Sequence, residues 1–334
     1  MDETTDRALI DATRPFARES RARSWVYLVT TFLLLGCAAV VAVRAPWWPL
    51  RLAASVLEGL TIVRAFILFH DFLHGAILRG SGVARALFEV FGIAVMTPAR
   101  VWRETHNYHH AHTAKIVGSN VGSYAMVTTD MWRRMSPRDR FRYRLVRHPL
   151  TILFAYFTVF FIGMGVSPFR RAPRKHAVAG VAVAAHVLAW GAAIWLGLFV
   201  PFFFAFALPL FIACALGAYM FYAQHNFVDM HVQPRESWTY VRAALESSSY
   251  MEMGPVLRFF AGNIGYHHVH HLNSTIPFYR LPEAMAAIPA LQSPGRTSLA
   301  PSEIIRCLQL KLWDPASDTM VGYEAAEVEV TETV

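Results

Sequence analysis

A chain of 334 residues that is 55% hydrophobic, only 16% charged and has a mean hydropathy of +0.33 falls outside the soluble globular range, in which about a quarter of residues are charged. Its 31 Lys+Arg against 23 Asp+Glu are read, in so apolar a chain, as cytoplasmic loops and lipid-surface contacts rather than a nucleic-acid face. Cys37, Cys214 and Cys307 are scattered, which excludes a disulfide framework and any cysteine-based metal or iron–sulfur motif.

In chain order, residues 1–24 mix arginines and acids without an apolar core, so no cleavable signal peptide is expected, only a cytosolic N-terminal tail. Apolar stretches predict transmembrane helices over about 26–43, 52–72, 177–199 and 201–223. The second is marked by Glu58, Arg64 and histidines; the last two form a tight hairpin at Pro201. A further apolar stretch, 149–166, is flanked by Arg133, Arg134, Arg138, Arg140, Arg142, Arg144 and Arg147 on one side and by Arg170, Arg171, Arg174 and Lys175 on the other. Basic flanks stay cytoplasmic, so 149–166 is expected to lie in the interface or re-enter. That leaves an all-α membrane protein of about four spans in two hairpins, both termini cytoplasmic, in the cell membrane. A cytosolic helical cap is expected from 75–148 and 226–323, giving one domain over 25–323 and a C-terminal tail over 324–334.

Histidine spacing carries the chemistry. "HDFLH" places His70 and His74 at i, i+4, about 40° apart around a helix. "HNYHH" gives His106, His109 and His110 at i, i+3, i+4, and "HHVHH" repeats that pattern as His267, His270 and His271. His225 stands at the cytoplasmic end of the last predicted span. These nine histidines can converge on one rim. His112 and His268 break the repeated spacing, and His148, His176, His186 and His231 are read as ordinary structural histidines. Nine imidazoles exceed the three or four protein ligands of a zinc ion; they suit two metals, and imidazole suits iron as well as zinc or copper. A histidine-rich dinuclear site at a bilayer face, with no carboxylate among its candidate ligands, points to iron and dioxygen. Asp71, Asp229 and Asn263 are candidate acceptors for the far ring nitrogen of a ligand. No catalytic residue beyond the metal ligands is expected. Phe69, Phe72, Tyr108 and Tyr266 are candidates to line an acyl channel.

Together these boxes resemble the membrane fatty acid desaturase family, in its acyl-lipid, Δ12/ω6-like bacterial branch. The resemblance spans residues 55–323 and rests on "HDFLHG", "WRETHNYHH", "YAQHNFVD", "WTYVRAALESSSY", "GNIGYHHVHHLNSTIPFYRL" and "LKLWDPASDTMVGY". It implies a mushroom-like fold of four membrane helices under a cytosolic cap. It also implies two iron ions held by His70, His74, His106, His109, His110, His225, His267, His270 and His271. The implied reaction reduces O2 with two external electrons and sets a cis double bond in a fatty acyl chain borne by a phospholipid, CoA or acyl carrier protein. The chain departs from the commonest pattern at Phe72–Leu73 and at "AHTAKIVGSNVGSY", positions that bear on regioselectivity.

The sequence holds no haem-binding HPGG, no ferredoxin-type cysteine run and no nucleotide-binding glycine fingerprint. Electrons are therefore expected from a separate ferredoxin or cytochrome b5-like donor. The basic rims at 133–147 and 170–175 suit either an acidic donor or lipid headgroups. Rival readings are a hydroxylase, acetylenase or ketolase on the same scaffold, a zinc-dependent lipid hydrolase, and a histidine-relay transporter.

Overall fold

The computed structural model describes residues 3–117 and 121–328. Among the described residues, four helices are long and apolar enough to cross a membrane: Arg21–Arg44 (α1), Trp48–His74 (α2), Ala177–Trp195 and Phe199–Ala223. Between α2 and the third of them run Gly82–Ala94 (α3), Ala99–His112 (α4), Pro137–Val146 (α5) and Pro149–Leu153 (α6). Ala177–Trp195 is then α7 and Phe199–Ala223 is α8. Proline accounts for the irregular winding of α8. Pro209 lacks an N–H, and a π-helical turn at Phe203–Ala207 immediately precedes its segment.

α2 is the central helix, burying Glu58, Arg64, His70 and Asp71. It packs closely on α8 because residue 59 is glycine: a Cβ there would stand 2.9 Å from the Pro209 carbonyl oxygen. At the two hairpin tips Trp47, Trp48 and Trp195 are 72%, 67% and 85% exposed, as suits indoles at a membrane–water boundary. α3 and α4 meet at 88°, through a turn in which Met96 has φ +55°. The stretch 149–166 continues from α6 into a π-helix, Tyr156–Val166, and neither piece has the length of a span. The cap is helical apart from two small pairings: Tyr250–Glu252 (β1) runs parallel to Arg296–Ser298 (β2), and Leu312–Asp314 (β3) antiparallel to Thr319–Val321 (β4). Val127, Trp132, Tyr143, Leu312 and Ala326 form a small second core beneath the basic helix α5.

Both tails need correction. The N-terminal stretch folds as a helix, Glu3–Thr13, and docks on the cap. Asn273 Nδ2 donates to Thr13 Oγ1 at 2.8 Å, Arg280 to the Pro15 carbonyl at 2.9 Å, and the Leu78 N–H to Glu19 at 2.6 Å. Its polar composition supplies acceptors to the cap rather than a solvated surface. At the other end, Ala326 is buried and its carbonyl accepts from Arg133 Nε at 3.2 Å; residues 329–334 lie outside the described residues.

Candidate metal centre

Helix ends place the histidines. α2 stops just after His74, where Gly75 takes φ +74° and its N–H returns to the Phe72 carbonyl at 3.0 Å, a left-handed C-terminal turn. His70 and His74 thus occupy the final turn. α4 carries His106, His109 and His110 on one face, and His225 follows the last turn of α8. The third box forms a short helix, His267–Leu272 (α9). Six residues make no stable helix alone. It is held by the Met251 N–H donating to the Gly265 carbonyl at 2.8 Å and by Gln224 Nε2 donating to the Ile264 carbonyl at 2.9 Å.

These elements bring all nine histidines together in two groups able to hold a metal ion. One is His70, His74, His106, His110 and His270; the other is His109, His225, His267 and His271. Within each, one nitrogen of every ring lies within 4.8 Å of all the others. The groups adjoin, with the His110 and His271 ring centroids 4.2 Å apart. His74 Nε2 is buried without a hydrogen-bond partner.

Proton accounting tests whether these rings fit a metal. His225 Nδ1 donates to the Ser247 carbonyl at 2.9 Å. A carbonyl only accepts, so the neutral ring leaves Nε2 as a bare lone pair. Thr113 Oγ1 donates its single proton to the His109 carbonyl at 2.9 Å and so accepts from His271 Nδ1 at 3.2 Å, which bares His271 Nε2. His70 Nδ1 donates to Asp71 Oδ1 at 3.0 Å, and Asp71 Oδ2 also accepts the Phe278 N–H at 2.7 Å. Yet Nε2 of His225 faces Nε2 of His109 at 3.1 Å and of His267 at 2.9 Å; His271 faces His267, and His70 faces His106, each at 3.1 Å. In each of these contacts a bared Nε2 meets a second ring (His109, His267 or His106) free to carry its own proton on Nε2, so the convergent nitrogens suit either shared protons or a shared cation. Burial, reinforced by neighbouring imidazoles, holds His106, His109, His110, His267, His270 and His271 well below the ordinary histidine range, and burial takes His225 down to about 4. The rings are therefore neutral near pH 7, the form in which imidazole binds metal.

Of the expected ring-orienting residues, Asp71 holds His70, but the other two differ. Asn263 Nδ2 donates to the Phe278 carbonyl at 3.1 Å, bracing the residue that Asp71 also holds. Asp229 is exposed in the turn after α8, and no hydrogen bond joins it to an imidazole among the described residues. Thr113 and the Ser247 carbonyl take those roles instead. A Thr one turn beyond His109 is the signal that could have found the first; a backbone carbonyl has none. His268 donates to the Leu291 carbonyl at 3.0 Å, His112 stacks on Tyr108 and His186 pairs with Tyr156, so these remain structural.

A cavity of about 420 Å³ runs between α2, α8 and the 156–166 segment up to His70, His106 and His267. Its aromatic wall is Phe66, Trp102, Tyr124, Phe160 and Phe221, not the expected Phe69, Phe72, Tyr108 and Tyr266. Phe66 shares a helical face with His70 at i, i+4, whereas Phe69 and Phe72 turn toward Phe88.

The model of the family described as fatty acid desaturase matches residues 45–299. The chain belongs to the fatty acid desaturase family. The enzyme is thus an oxidoreductase, and its substrate is a fatty acyl lipid. A fatty acid desaturase of Bacillus subtilis is 29% identical over 93% of this chain and 88% of its own length. An sn-1 oleoyl-lipid 12-desaturase of Picosynechococcus is 24% identical, covering 78% of this chain and 75% of its own, and one of Anabaena variabilis is 23% identical, covering 81% and 77%. In the desaturase the family's chemistry meets the two histidine groups and the apolar cavity that reaches them.

Proposed function

We propose that this desaturase holds one iron ion in each histidine group and, with O2 and two electrons from an external donor, introduces a cis double bond into a fatty acyl chain. His70, His74, His106, His110 and His270 hold one iron; His109, His225, His267 and His271 hold the other. When bound, the two irons supply the oxidising power needed to cleave unactivated C–H bonds. The observation that carries this reading is the convergence of nine histidines into two groups, in each of which one nitrogen of every ring lies within 4.8 Å of all the others.

The chain's own residues position and insulate. Asp71, Thr113 and the Ser247 carbonyl hold the far nitrogens of three rings, fixing tautomer and orientation. Apolar walls such as Phe66, Phe160 and Ala213 exclude water and lay acyl methylenes against His70, His106 and His267. The oleoyl-lipid relatives support an acyl chain carried on a membrane lipid and desaturated at a Δ12-type position. A ferredoxin or cytochrome b5-like protein supplies the electrons. In this reading the enzyme lies in the cell membrane with the cap, the histidines and both termini cytoplasmic, and its catalytic domain runs over 25–323; the four long apolar helices and the basic flanks of 149–166 support it.

The test is expression of the protein and of His270→Ala in a bacterial host with suitable donors, followed by gas chromatography–mass spectrometry of total fatty acids and iron analysis of the purified protein. The reading requires a fatty acid two mass units below its precursor, absent with His270→Ala, and about two irons per chain. A product sixteen units heavier makes the enzyme a hydroxylase, and folded protein without iron defeats the proposal.

A further inference from the structure

Away from the histidines, a second cavity of about 310 Å³ opens where α5 ends, α6 begins and β3 passes beneath. Arg144, Arg147, His148 and Lys311 line it, and Glu324 and Glu327 edge it. Arg147 and Lys311 are 1% and 8% exposed, and among the described residues neither has a carboxylate within ion-pair distance. Lys311 Nζ donates to the Arg147 carbonyl at 2.7 Å. Arg147 donates to the Ala125 carbonyl at 2.8 Å, to Tyr222 Oη at 3.3 Å and to Asn226 Oδ1, while its Nε is buried with no acceptor. The Tyr143 and Tyr222 rings, 5.6 and 5.1 Å from the guanidinium carbon, offset part of the charge. Two buried cations side by side without an anion are nonetheless costly. The edging acids do not relieve them: both are exposed, and Glu327 pairs with Arg144 at 3.7 Å.

The surroundings indicate which anion belongs there. The outer face of α5 presents Phe141 and Leu145, 66% and 55% exposed, flanked by Arg138 and Arg142. It leads directly to the exposed apolar Leu150 and Leu153. Large apolar side chains bordered by arginines mark a helix lying in the headgroup layer of a membrane, which places the cavity at phosphate depth. We propose that this cavity seats the phosphate of an anionic glycerophospholipid, with Arg144, Arg147 and Lys311 as its cationic partners. Occupancy then bears on the metal centre, because Arg147 also holds Asn226, the residue after His225.

The test uses the full-length protein in nanodiscs of phosphatidylcholine with or without phosphatidylglycerol, and in detergent with inorganic phosphate, reading thermal unfolding and lipid retained in native mass spectrometry. Phosphatidylglycerol is expected to raise the unfolding temperature and to be retained, where phosphatidylcholine and inorganic phosphate do neither. Lys311→Met and Arg144→Gln each abolish the shift, whereas Arg134→Gln, exposed and outside the cavity, keeps it. Should Lys311→Met fail to fold, Arg144→Gln on the rim decides alone. A shift that survives both variants, or that is equal in the two lipids, overturns the site. Inorganic phosphate matching phosphatidylglycerol overturns its assignment to lipid.

Discussion

His225 gives its Nδ1 proton to the Ser247 carbonyl at 2.9 Å, and that single bond turns the bare Nε2 toward His109 and His267. A ring anchored in this way is a committed donor of one lone pair. His225→Ala is expected to lower iron from about two per chain toward one and to abolish desaturation while leaving the apolar core intact. Metal analysis of the purified variant, beside its circular dichroism, checks this; a variant with full iron removes His225 from the ligand set.

Asp71 holds His70 through Nδ1 and the Phe278 N–H through its other oxygen. Asp71→Asn keeps the shape but offers an amide where a second acceptor oxygen is needed. Loss of such an orienting partner typically costs 10- to 100-fold in metal affinity, and that range is expected in competition with a chelator. Thr113→Val, which strips the acceptor from His271, should follow in the same direction.

Acid should destabilise the metal-free enzyme. Burial sets His225 and His268 at about 4 and the other buried cap histidines well below the ordinary range. The unfolded chain therefore binds more protons below about pH 6.5. Stability contributed by these neutral rings is fully present above that pH and lost as pH falls toward 4. Unfolding temperatures of the metal-free protein should drop steadily from pH 7 to pH 5; a flat profile contradicts buried neutral imidazoles.

Gly265 has no room for a side chain, since a Cβ would stand 2.5 Å from the Met251 carbonyl oxygen. Gly265→Ala must push α9 away from β1, and overpacking of this kind costs about 1–3 kcal/mol. Because α9 carries histidines of both groups, reduced iron retention should accompany the lower unfolding temperature. Normal iron retention in the variant would show that α9 tolerates the shift.

Ala213 of α8 lines the cavity, so the added bulk of Ala213→Phe is expected to reduce turnover of long acyl chains more than that of short ones, with iron content unchanged. Product profiles from hosts fed fatty acids of different lengths measure this, and equal loss at every length counts against the cavity as the acyl site.

The nine histidines were legible because a 3.6-residue period turns i, i+3, i+4 spacing into one helical face. Their division was not. His106 and His110 join one group and His109 the other, a split set by how α2, α4, α8 and α9 cross. The four spans could be read from apolar length, with ends displaced: α1 begins at Arg21, within the supposed tail. Docking of that tail rests on single hydrogen bonds between residues such as Thr13 and Asn273, which leave no periodic trace. The Ser247 carbonyl is invisible for the same reason, and Asp229 misled because proximity in sequence to His225 did not survive the turn after α8.

The interleaving of the two groups also bears on biosynthesis. Each needs nitrogens from α4 and from α9, segments separated by more than half the distance from the first box to the chain's end. At about 5–20 residues per second of synthesis, the early histidines wait many seconds for partners, one group until His270 and the other until His271 has left the ribosome. Metal capture is then a late event in the life of the nascent chain, and a chain truncated before His267 emerges without a complete binding group.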